Sequence, residues 1–406
     1  MKKLIYLTLA TTTVGFSAAY KIPEQSVNSM ALGAAYVAHT VGADSAYYNP
    51  ASMSFMDGYS YIDGSITLAH LPSVEYTLVA PYSGKSKVED IPIPNFHYVS
   101  KPYGKLRWGL SIATPAGLSK RWESPYQKLY AQEFTLRNVE INPSISYKLL
   151  DNFSIAGGIR VVYSEGKVGN DGRDALYPIK REVRGDTIEF GYNLALLYKS
   201  SNDINLALTY RSKVDLDEKG YANLYLGDVS KRYKTDVSIP IPASLNIAIS
   251  KTWSDILTLE FVYERTFWSE YKTLDFNYDQ EVANPILNNA FNKPIEKNWK
   301  DTNTFRVGVT YKIDDLTVMS GFAIDKSPIP DKTMGFELPD SDAKIYSIGF
   351  KYQQTKNLSW GAAILYDDKD RRSIPAGVAD NNILSNGGKF TNGGAWLTVV
   401  GMSYKF

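Results

Sequence analysis

The chain has no cysteine among its 406 residues, and this absence removes several kinds of chemistry at once. Disulfides, thiolate nucleophiles and cysteine-bound zinc or iron–sulfur sites are all excluded. Only three histidines occur, at His39, His70 and His97, which leaves little room for imidazole catalysis or metal binding. Glycine-rich phosphate loops and paired-histidine metal motifs are absent as well. We therefore expect a protein that is not an enzyme and has no cofactor and no metal site.

An excess of charge of one sign is also lacking, since 44 basic residues stand against 43 acidic ones, for a formal net charge of +1. A nucleic-acid-binding protein needs a basic face, so no nucleic-acid partner is expected. Disorder is excluded because 44% of the residues are hydrophobic. The 30 tyrosines outnumber the 16 phenylalanines. Because tyrosine has an apolar ring and a polar hydroxyl, this excess favours surfaces at a boundary between an apolar phase and water.

Long apolar runs are missing too, so no helical membrane span is predicted after the N-terminus. The one apolar stretch near the start, Leu4–Phe16, follows two lysines and precedes a cluster of small residues. This arrangement is typical of a secretory signal, and the stretch is too short for a membrane anchor. We predict a signal peptide over residues 1–19, a mature chain beginning at Tyr20, and export from the cytoplasm.

From residue 58 onward the side chains alternate between apolar and polar or small with a period of two. In the segment from Phe305 to Ile313 one face is wholly apolar, as expected for a strand whose side chains point alternately to opposite sides. About fourteen such segments occur, near 58–70, 93–101, 104–114, 138–150, 153–165, 185–199, 203–217, 235–251, 256–267, 302–313, 316–325, 343–354, 357–368 and 393–406. An even count suits a closed antiparallel barrel.

Such alternation fits either a soluble sandwich or an outer-membrane barrel that shows its apolar faces to lipid. Aromatic residues close to the segment ends resemble an interfacial girdle, at Tyr198, Tyr210, Tyr263, Tyr311, Tyr352 and Tyr366. The opposite face carries too many charges for a dry core, at Arg160, Glu189, Arg211, Glu260, Arg306, Lys312 and Lys351. Connections also alternate between short and long. We predict an all-β transmembrane antiparallel barrel of about 14 strands over residues 58–406, in the outer membrane of a Gram-negative cell.

Residues 20–57 do not alternate and must form something else. They are rich in alanine, glycine and serine, and they end in the triplet Asn49-Pro50-Ala51. A barrel this wide has a lumen that leaks unless something fills it. We predict an N-terminal hatch that plugs the lumen, with an exposed periplasmic tail as the alternative.

The motifs in this stretch resemble the hatch of the FadL family of outer-membrane transporters for hydrophobic substrates. The resemblance begins with the run Met30–Ala38, continues with Asp44-Ser45-Ala46 and is most recognisable at Asn49-Pro50-Ala51. Further matches follow in order at Ala113–Leu118, Asn142–Ile145, Thr209–Lys213, Ile241–Leu245, Glu264–Ser269 and Glu337–Asp342. One departure is Ala116, where many members carry phenylalanine.

The resemblance implies a monomeric barrel that carries long-chain fatty acids or other hydrophobic molecules. Substrate would be captured between outer loops, reach a pocket near the hatch, and leave sideways into the membrane through a gap at a kink in the third strand. Asn49, Pro50 and Ala51 would take part in gating. The expected partners are the hydrophobic molecule, outer-membrane lipid and lipopolysaccharide, and the barrel-assembly machinery, which would read the terminal aromatic Phe406.

Two sets of residues are candidates for handling the substrate. The first set contains four rings spaced four apart, Trp122, Tyr126, Tyr130 and Phe134, which would form one apolar stripe if their loop is helical. Leu118 and Leu129 lie nearby and complete the set. It is either a landing surface for an acyl chain or simple packing over the barrel mouth. The second set consists of lumen arginines that could hold a carboxylate head group, Arg160, Arg211 and Arg306. These arginines could instead belong to an ion network with Glu189 and Glu260.

The rival functions for the same architecture are a general diffusion porin and a surface adhesin. A porin should lack the hatch, and an adhesin should have larger outer loops than the longest one here, roughly thirty residues. Residues 20–57 therefore discriminate between these readings.

Overall fold

The computed structural model describes residues 19–379 and 384–406, so the predicted signal peptide lies outside the described residues apart from Ala19. Fourteen antiparallel strands close into a barrel, with β14 paired to β1. The wall strands are β1 Tyr61–Leu71, β2 Glu89–Val99, β3 Leu106–Ala113 with a second part Gly117–Arg121, β4 Glu133–Leu150, β5 Phe153–Asp171, β6 Ile179–Lys199, β7 Ile204–Arg211 with Val214–Leu226, β8 Val229–Ile241 with Ser244–Trp253, β9 Leu257–Thr266, β10 Thr302–Ile313, β11 Leu316–Asp325, β12 Ala343–Gln353, β13 Leu358–Lys369 and β14 Ala395–Lys405.

Shorter strands, helices and 3-10 turns lie in the loops and in the N-terminal segment. Short strands in the outer loops are Glu75–Thr77, Gly84–Lys85, Thr273–Leu274, Asn277–Tyr278, Ile295–Glu296, Arg372–Ile374 and Gly388–Thr391. The helices are α1 Val27–Ala31, α2 Ser45–Tyr48, α3 Pro125–Ala131 and α4 Pro285–Phe291, with 3-10 turns at Pro50–Phe55, Arg173–Ala175, Trp268–Glu270 and Asp331–Thr333. Within the described part of the chain, none of the helices has the length and apolar character needed to cross a membrane.

An apolar belt surrounds the barrel, as the alternation predicts. On β6 the outward side chains of Ile188, Phe190 and Leu194 are 58%, 67% and 54% exposed, whereas the inward Ala195 is buried. In water such a surface would be unfavourable, but it suits contact with hydrocarbon. Aromatic pairs flank the belt, with Tyr366 stacked on Trp396 at 4.3 Å between ring centroids. The predicted all-β barrel fold is confirmed.

Strands β4 to β8 are longer than their predicted segments, so the long loops expected near 166–184 and 218–234 are mostly strand. Beyond the lipid belt the alternation continues with its faces exchanged. Val183 and Leu216 point inward and are buried, while Arg184 and Lys219 point outward and are exposed. The rule that apolar side chains face outward holds only where lipid surrounds the wall. The predicted strands therefore stop short of the observed outer ends.

The wall is interrupted beside β3. The ladder between β2 and β3 runs only from Val99–Gly109 to Phe96–Ile112. After Ala113 the chain leaves the ladder, and the second part of β3 forms its ladder with β4. A hydrogen bond of 2.8 Å from the Lys87 backbone N–H to the Arg121 carbonyl closes the interruption at its outer end. We call this gap in the ladder, between residues 90–95 of β2 and residues 114–118, the wall window.

The N-terminal segment, residues 20–56, contacts the inner face of strands all around the barrel. Ser347 on β12 donates to the Ala31 carbonyl at 2.9 Å, and Ser154 on β5 donates to the Ala51 carbonyl at 2.7 Å. Gly321 on β11 lets the segment approach closely, because a Cβ atom there would lie 2.0 Å from the carbonyl carbon of Leu32. The segment therefore lies within the lumen.

Candidate functional site

The kink in β3 is paired with the N-terminal segment instead of with β2. The Ile22 N–H donates to the Pro115 carbonyl at 2.9 Å, and the Gly117 N–H donates to the Tyr20 carbonyl at 2.8 Å. The Gln25 side chain accepts from the Thr114 N–H at 2.9 Å and donates to the Thr114 carbonyl at 2.8 Å. Backbone groups that the kink takes out of the wall ladder are thus satisfied from inside the barrel.

An apolar cavity of about 310 Å³, part of it open to solvent, lies on the outer side of this contact. Most of its lining side chains are aromatic or aliphatic: Tyr20, Leu118, Phe134, Leu136, Ile239, Tyr271, Trp299 and Leu338. The Tyr20 ring packs edge-on against Trp268 at 4.9 Å between centroids, and its hydroxyl donates to the Pro240 carbonyl. Leu118 follows the kink directly, so the cavity adjoins the wall window.

A second, charged cavity of about 630 Å³, part of it open to solvent, lies on the other side of Tyr20. Its lining includes three cationic side chains, Lys21, Arg160 and Arg211, and one carboxylate, Glu264. Arg160 donates from Nε to the buried Glu140 at 2.8 Å, and Arg211 donates to the other oxygen of that carboxylate. Lys21 is in turn paired with Glu264, so the three cations stand against two carboxylates, which leaves one positive charge in excess.

The three predicted head-group arginines are only partly brought together. Arg160 and Arg211 share the charged cavity, and the Arg211 guanidinium also lies over the Tyr47 ring at 4.3 Å. Arg306 is not part of that lining: it donates to the Gly33 carbonyl at 3.0 Å and lies 3.8 Å from Glu264. Of these three arginines, Arg306 therefore serves the N-terminal segment, and Arg160 and Arg211 remain as head-group candidates.

The alternative of an ion network holds, but the expected partners were wrong. Glu140 takes the place predicted for Glu189 and Glu260. Glu189 accepts instead from the Thr187 hydroxyl at 2.8 Å, and Glu260 binds backbone groups of the N-terminal segment. The alternation of faces along β4 could have revealed Glu140, because Glu140 lies on the same inward face as Asn138 and Asn142.

The triplet at the end of the N-terminal segment holds the segment's own fold and ties it to the wall. Asn49 donates from Nδ2 to the Val37 carbonyl at 2.8 Å, and its Oδ1 accepts from the Ala51 N–H at 3.1 Å. Pro50 occupies the first position of the following 3-10 turn, where a missing N–H costs nothing. The arrangement explains why these three residue types occur in this order.

The predicted capture residues do not form one helical stripe. Helix α3 covers only Pro125–Ala131, because the chain then enters the extended β4. Tyr126 and Tyr130 lie on α3 and pack on Phe336 of the loop between β11 and β12. The six residues separate into an outer group near α3, Trp122, Tyr126, Leu129 and Tyr130, and a pair that lines the apolar cavity, Leu118 and Phe134.

Of the predicted capture residues, Trp122 fits a surface for binding an acyl chain least well. Its side chain is buried, and its Nε1–H donates to the Phe336 carbonyl at 2.9 Å. Trp122 therefore holds the outer loops together, as the packing alternative proposed, while Tyr126 and Tyr130 are partly exposed.

Burial shifts the pKa of two ionisable groups in the N-terminal segment. Glu24 lies with one carboxyl oxygen unpaired among the described residues, and burial raises its pKa to about 7. Burial lowers the pKa of His39 to about 4, with help from Lys312 and Lys199. Both groups are therefore neutral, or partly so, at physiological pH.

Comparison with known protein families gives a match over nearly the whole chain. The profile of the family described as outer membrane protein transport protein (OMPP1/FadL/TodX) matches residues 8–406. A long-chain fatty acid transport protein of Salmonella typhi is 26% identical over 97% of this chain and 96% of its own length.

Solved structures share the fold at lower sequence identity. A Pseudomonas aeruginosa FadL homologue superposes with a TM-score of 0.81 at 19% identity, covering 95% of this chain and 99% of its own. The Pseudomonas putida toluene transporter TodX gives a TM-score of 0.72 at 15% identity, covering 94% and 98%.

Proposed function

Because the chain belongs to the OMPP1/FadL/TodX family of outer membrane transport proteins, we propose that it carries amphipathic hydrophobic molecules, long-chain fatty acids foremost, into the outer membrane. The observation that supports this choice is the pairing of an apolar cavity with a neighbouring charged cavity, in which three cations stand against the two carboxylates of Glu264 and Glu140. The lining of the first cavity has the apolar character that an acyl chain requires, and the cations of the second are of the type that binds a carboxylate head group.

Cargo first contacts the partly exposed rings of Tyr126 and Tyr130 on α3, which pack over the buried Phe336. From there the apolar cavity is the next space inward, and Phe134 and Leu118 guide the acyl chain to it. Tyr20 separates the two cavities, so its ring must shift before a head group can reach Arg211. Burial of the chain supplies the driving force, at about 0.8 kcal/mol per methylene.

Release occurs sideways, through the wall window. The window lies between the Phe96–Ile112 pair and the Lys87–Arg121 hydrogen bond, and the apolar cavity adjoins it at Leu118. A lateral exit delivers a hydrophobic molecule directly into the hydrocarbon of the bilayer and avoids its exposure to periplasmic water.

The N-terminal segment acts as the hatch. This segment, residues 20–56, occupies the lumen and pairs with the kink, so it blocks the axial route and borders the lateral one. The triplet Asn49-Pro50-Ala51 anchors its distal end, which leaves the Tyr20–Gln25 end to respond to cargo. A general diffusion porin would need this lumen open.

A monoaromatic hydrocarbon is the second candidate cargo. The rings of Tyr20, Tyr271 and Trp299 line or border the apolar cavity with centroids 4.9 to 6.5 Å apart, a spacing that a further aromatic ring can join. Such a cargo would make no use of the three cations in the adjoining cavity, which is why a fatty acid is favoured.

The test compares two ligands that differ only in charge, a fluorescent long-chain fatty acid and its methyl ester. In the variant Arg211→Gln we expect the acid to bind at least tenfold more weakly, or about 1.4 kcal/mol, with ester binding unchanged. Lys351→Gln is the matched control, since Lys351 is a lumen cation that donates to Ser403 at 2.9 Å outside the cavity. Equal binding of acid and ester by the unmodified protein would overturn the fatty-acid assignment.

A further inference from the structure

The β2 side of the wall window carries two prolines, in the sequence Ile91-Pro92-Ile93-Pro94. Both rings point outward, because the inward positions on this strand are the buried Ile91 and Ile93. Proline is rare inside a sheet because it has no N–H to donate to a neighbouring strand. Two prolines at alternate positions of one wall strand therefore need an explanation.

Both prolines direct their backbone toward the window. In an antiparallel strand, the N–H and C=O of one residue point to the same neighbour, and the next residue points to the opposite one. Just beyond β2, the Ser100 N–H donates to the Trp108 carbonyl of β3 at 2.9 Å. Residues of the same parity, Pro94 and Pro92 among them, thus face β3, and the continuous β1–β2 ladder uses the other parity.

The β2–β3 ladder stops where these prolines begin. Its last pair is Phe96–Ile112. Continuation in the same register would place Pro94 opposite Thr114 and Pro92 opposite Ala116, and neither proline could donate a hydrogen bond across the gap. The sequence of β2 thus prevents the ladder from extending along the window.

The same prolines suit the environment at this level. Their partners on β1 are Ile66 and Leu68, whose side chains are 56% and 47% exposed within the apolar belt. An N–H group left unpaired in hydrocarbon costs several kcal/mol, so open sheet edges are normally excluded from a membrane. Because neither proline has an N–H, no backbone donor is left unpaired at positions 92 and 94, and that part of the cost is absent.

The two edges of the window are therefore stabilised differently. The β3 edge depends on Tyr20, Ile22 and Gln25, whose hydrogen bonds are lost if the N-terminal segment withdraws. The β2 edge depends on covalent structure, which no movement changes. Resting on the lateral exit proposed above, we propose that Pro92 and Pro94 are positioning residues that keep the wall window open when the N-terminal segment moves during transport.

Pro143 on β4 shows that a lipid-facing proline alone does not open the wall. It pairs with Leu110 on β3, and the β4–β5 register of Ser144 with Gly158 places it opposite Ile159. There the Asn142 side chain donates to the Ile159 carbonyl at 2.8 Å, in the place of the missing backbone donor. Pro143→Val is therefore a matched control for substitutions in β2.

The experiment replaces both window prolines, as Pro92→Val with Pro94→Val in the full chain. The protein is placed in vesicles with a lipopolysaccharide outer leaflet, and transfer of a fluorescent long-chain fatty acid into the bilayer is compared with protein-free vesicles. We expect the transfer rate to fall at least fivefold, while binding in detergent stays within twofold and heat-modifiable migration is unchanged. In Pro143→Val, transfer should match the parent.

A second measurement does not depend on any cargo. Hydrogen exchange of the new backbone amides at positions 92 and 94, followed by NMR with selectively labelled valine, reports whether the ladder has closed. Slow exchange together with slower transfer supports the proposal. Fast exchange, or a fall in transfer that Pro143→Val shows to the same extent, overturns it. Slow exchange with unchanged transfer supports the role of the prolines and overturns the lateral exit instead.

Discussion

Glu260 shows how one wall side chain fastens the N-terminal segment by its backbone. Its carboxylate accepts from the N–H groups of Val37 and Ala38 at 2.6 Å each, and from His39 at 3.1 Å. Bonds from N–H groups to a carboxylate are stronger than neutral ones. In Glu260→Gln one acceptor oxygen becomes an NH₂ group facing donors, so we expect the segment to loosen and ion conductance across planar bilayers to rise severalfold.

Glu189→Gln is the control for that variant. Glu189 also points into the lumen, but its carboxylate accepts from the Thr187 hydroxyl on its own strand. Its conductance should equal that of the parent. A leak of the same size in both variants would mean that lumen charge, and not the anchoring of the segment, sets the conductance.

Glu24 gives the segment a dependence on pH. Burial raises its pKa from 4.5 to about 7, with Asp325 and Glu264 adding to the rise and Arg306 opposing it. Because the folded pKa lies above the unfolded one, the native state holds the proton more tightly between these values. Its contribution to stability is therefore full below pH 4.5 and is lost as pH rises through 7.

We accordingly expect conductance to increase between pH 6 and pH 8 in the parent protein. Glu24→Gln keeps a neutral side chain of the same shape at every pH, so its conductance should stay at the low-pH level over this range. A parent and a variant with the same pH profile would show that another group controls the segment.

At the scale of elements, the close packing of α1 and its following turn against β11 depends on a missing side chain. A Cβ atom at Gly321 would lie 2.0 Å from the carbonyl carbon of Leu32, which is backbone and cannot rotate away. In Gly321→Val we therefore expect the N-terminal segment to be displaced and the barrel to conduct ions.

Gly64 on β1 provides the comparison, since it is exposed and no heavy atom lies within 4 Å of a Cβ built there. Gly64→Val should keep the conductance of the parent. Heat-modifiable migration should remain normal in both variants, because the strand ladder that gives the barrel its stability is intact. Unchanged conductance in Gly321→Val would mean that the segment yields without leaving the lumen.

The elements also show what a sequence can predict. Strands whose outer face meets lipid, such as β10 and β11, were located with the observed bounds at 302–313 and 316–325. The outer halves of β5 and β6 were missed because their apolar residues face inward above the belt. The helical stripe around α3 was overextended because a spacing of four cannot reveal that Phe134 already belongs to β4.

At the scale of the whole molecule, the wall window could not be derived from spacing alone. Pro92 and Pro94 are visible in the sequence, but their meaning depends on which neighbour their backbone faces, and that requires the register with β1 and β3. The charged cavity poses the same problem, since Arg160, Arg211 and Glu140 come from three strands. Both features depend on which strands, distant in sequence, pair with one another.

The whole molecule also determines where cargo is released. A route through the lumen would end in water, where a chain of about ten methylenes loses roughly 8 kcal/mol of transfer free energy. Release by that route would therefore be slow, and it would speed up in the presence of a protein that binds the fatty acid. A route through the wall window ends in the bilayer and needs no such acceptor.

We expect vesicles with a lipopolysaccharide outer leaflet to take up fluorescent fatty acid at the same rate with or without an internal fatty-acid-binding protein. Ion conductance, recorded in planar bilayers at the same ligand concentration, should stay at the closed level, because the N-terminal segment remains in the lumen while the window serves as the exit. Protein-free vesicles give the background rate. A rate that increases in proportion to the internal acceptor, accompanied by ligand-induced conductance, would place the exit at the periplasmic end of the lumen and contradict lateral release.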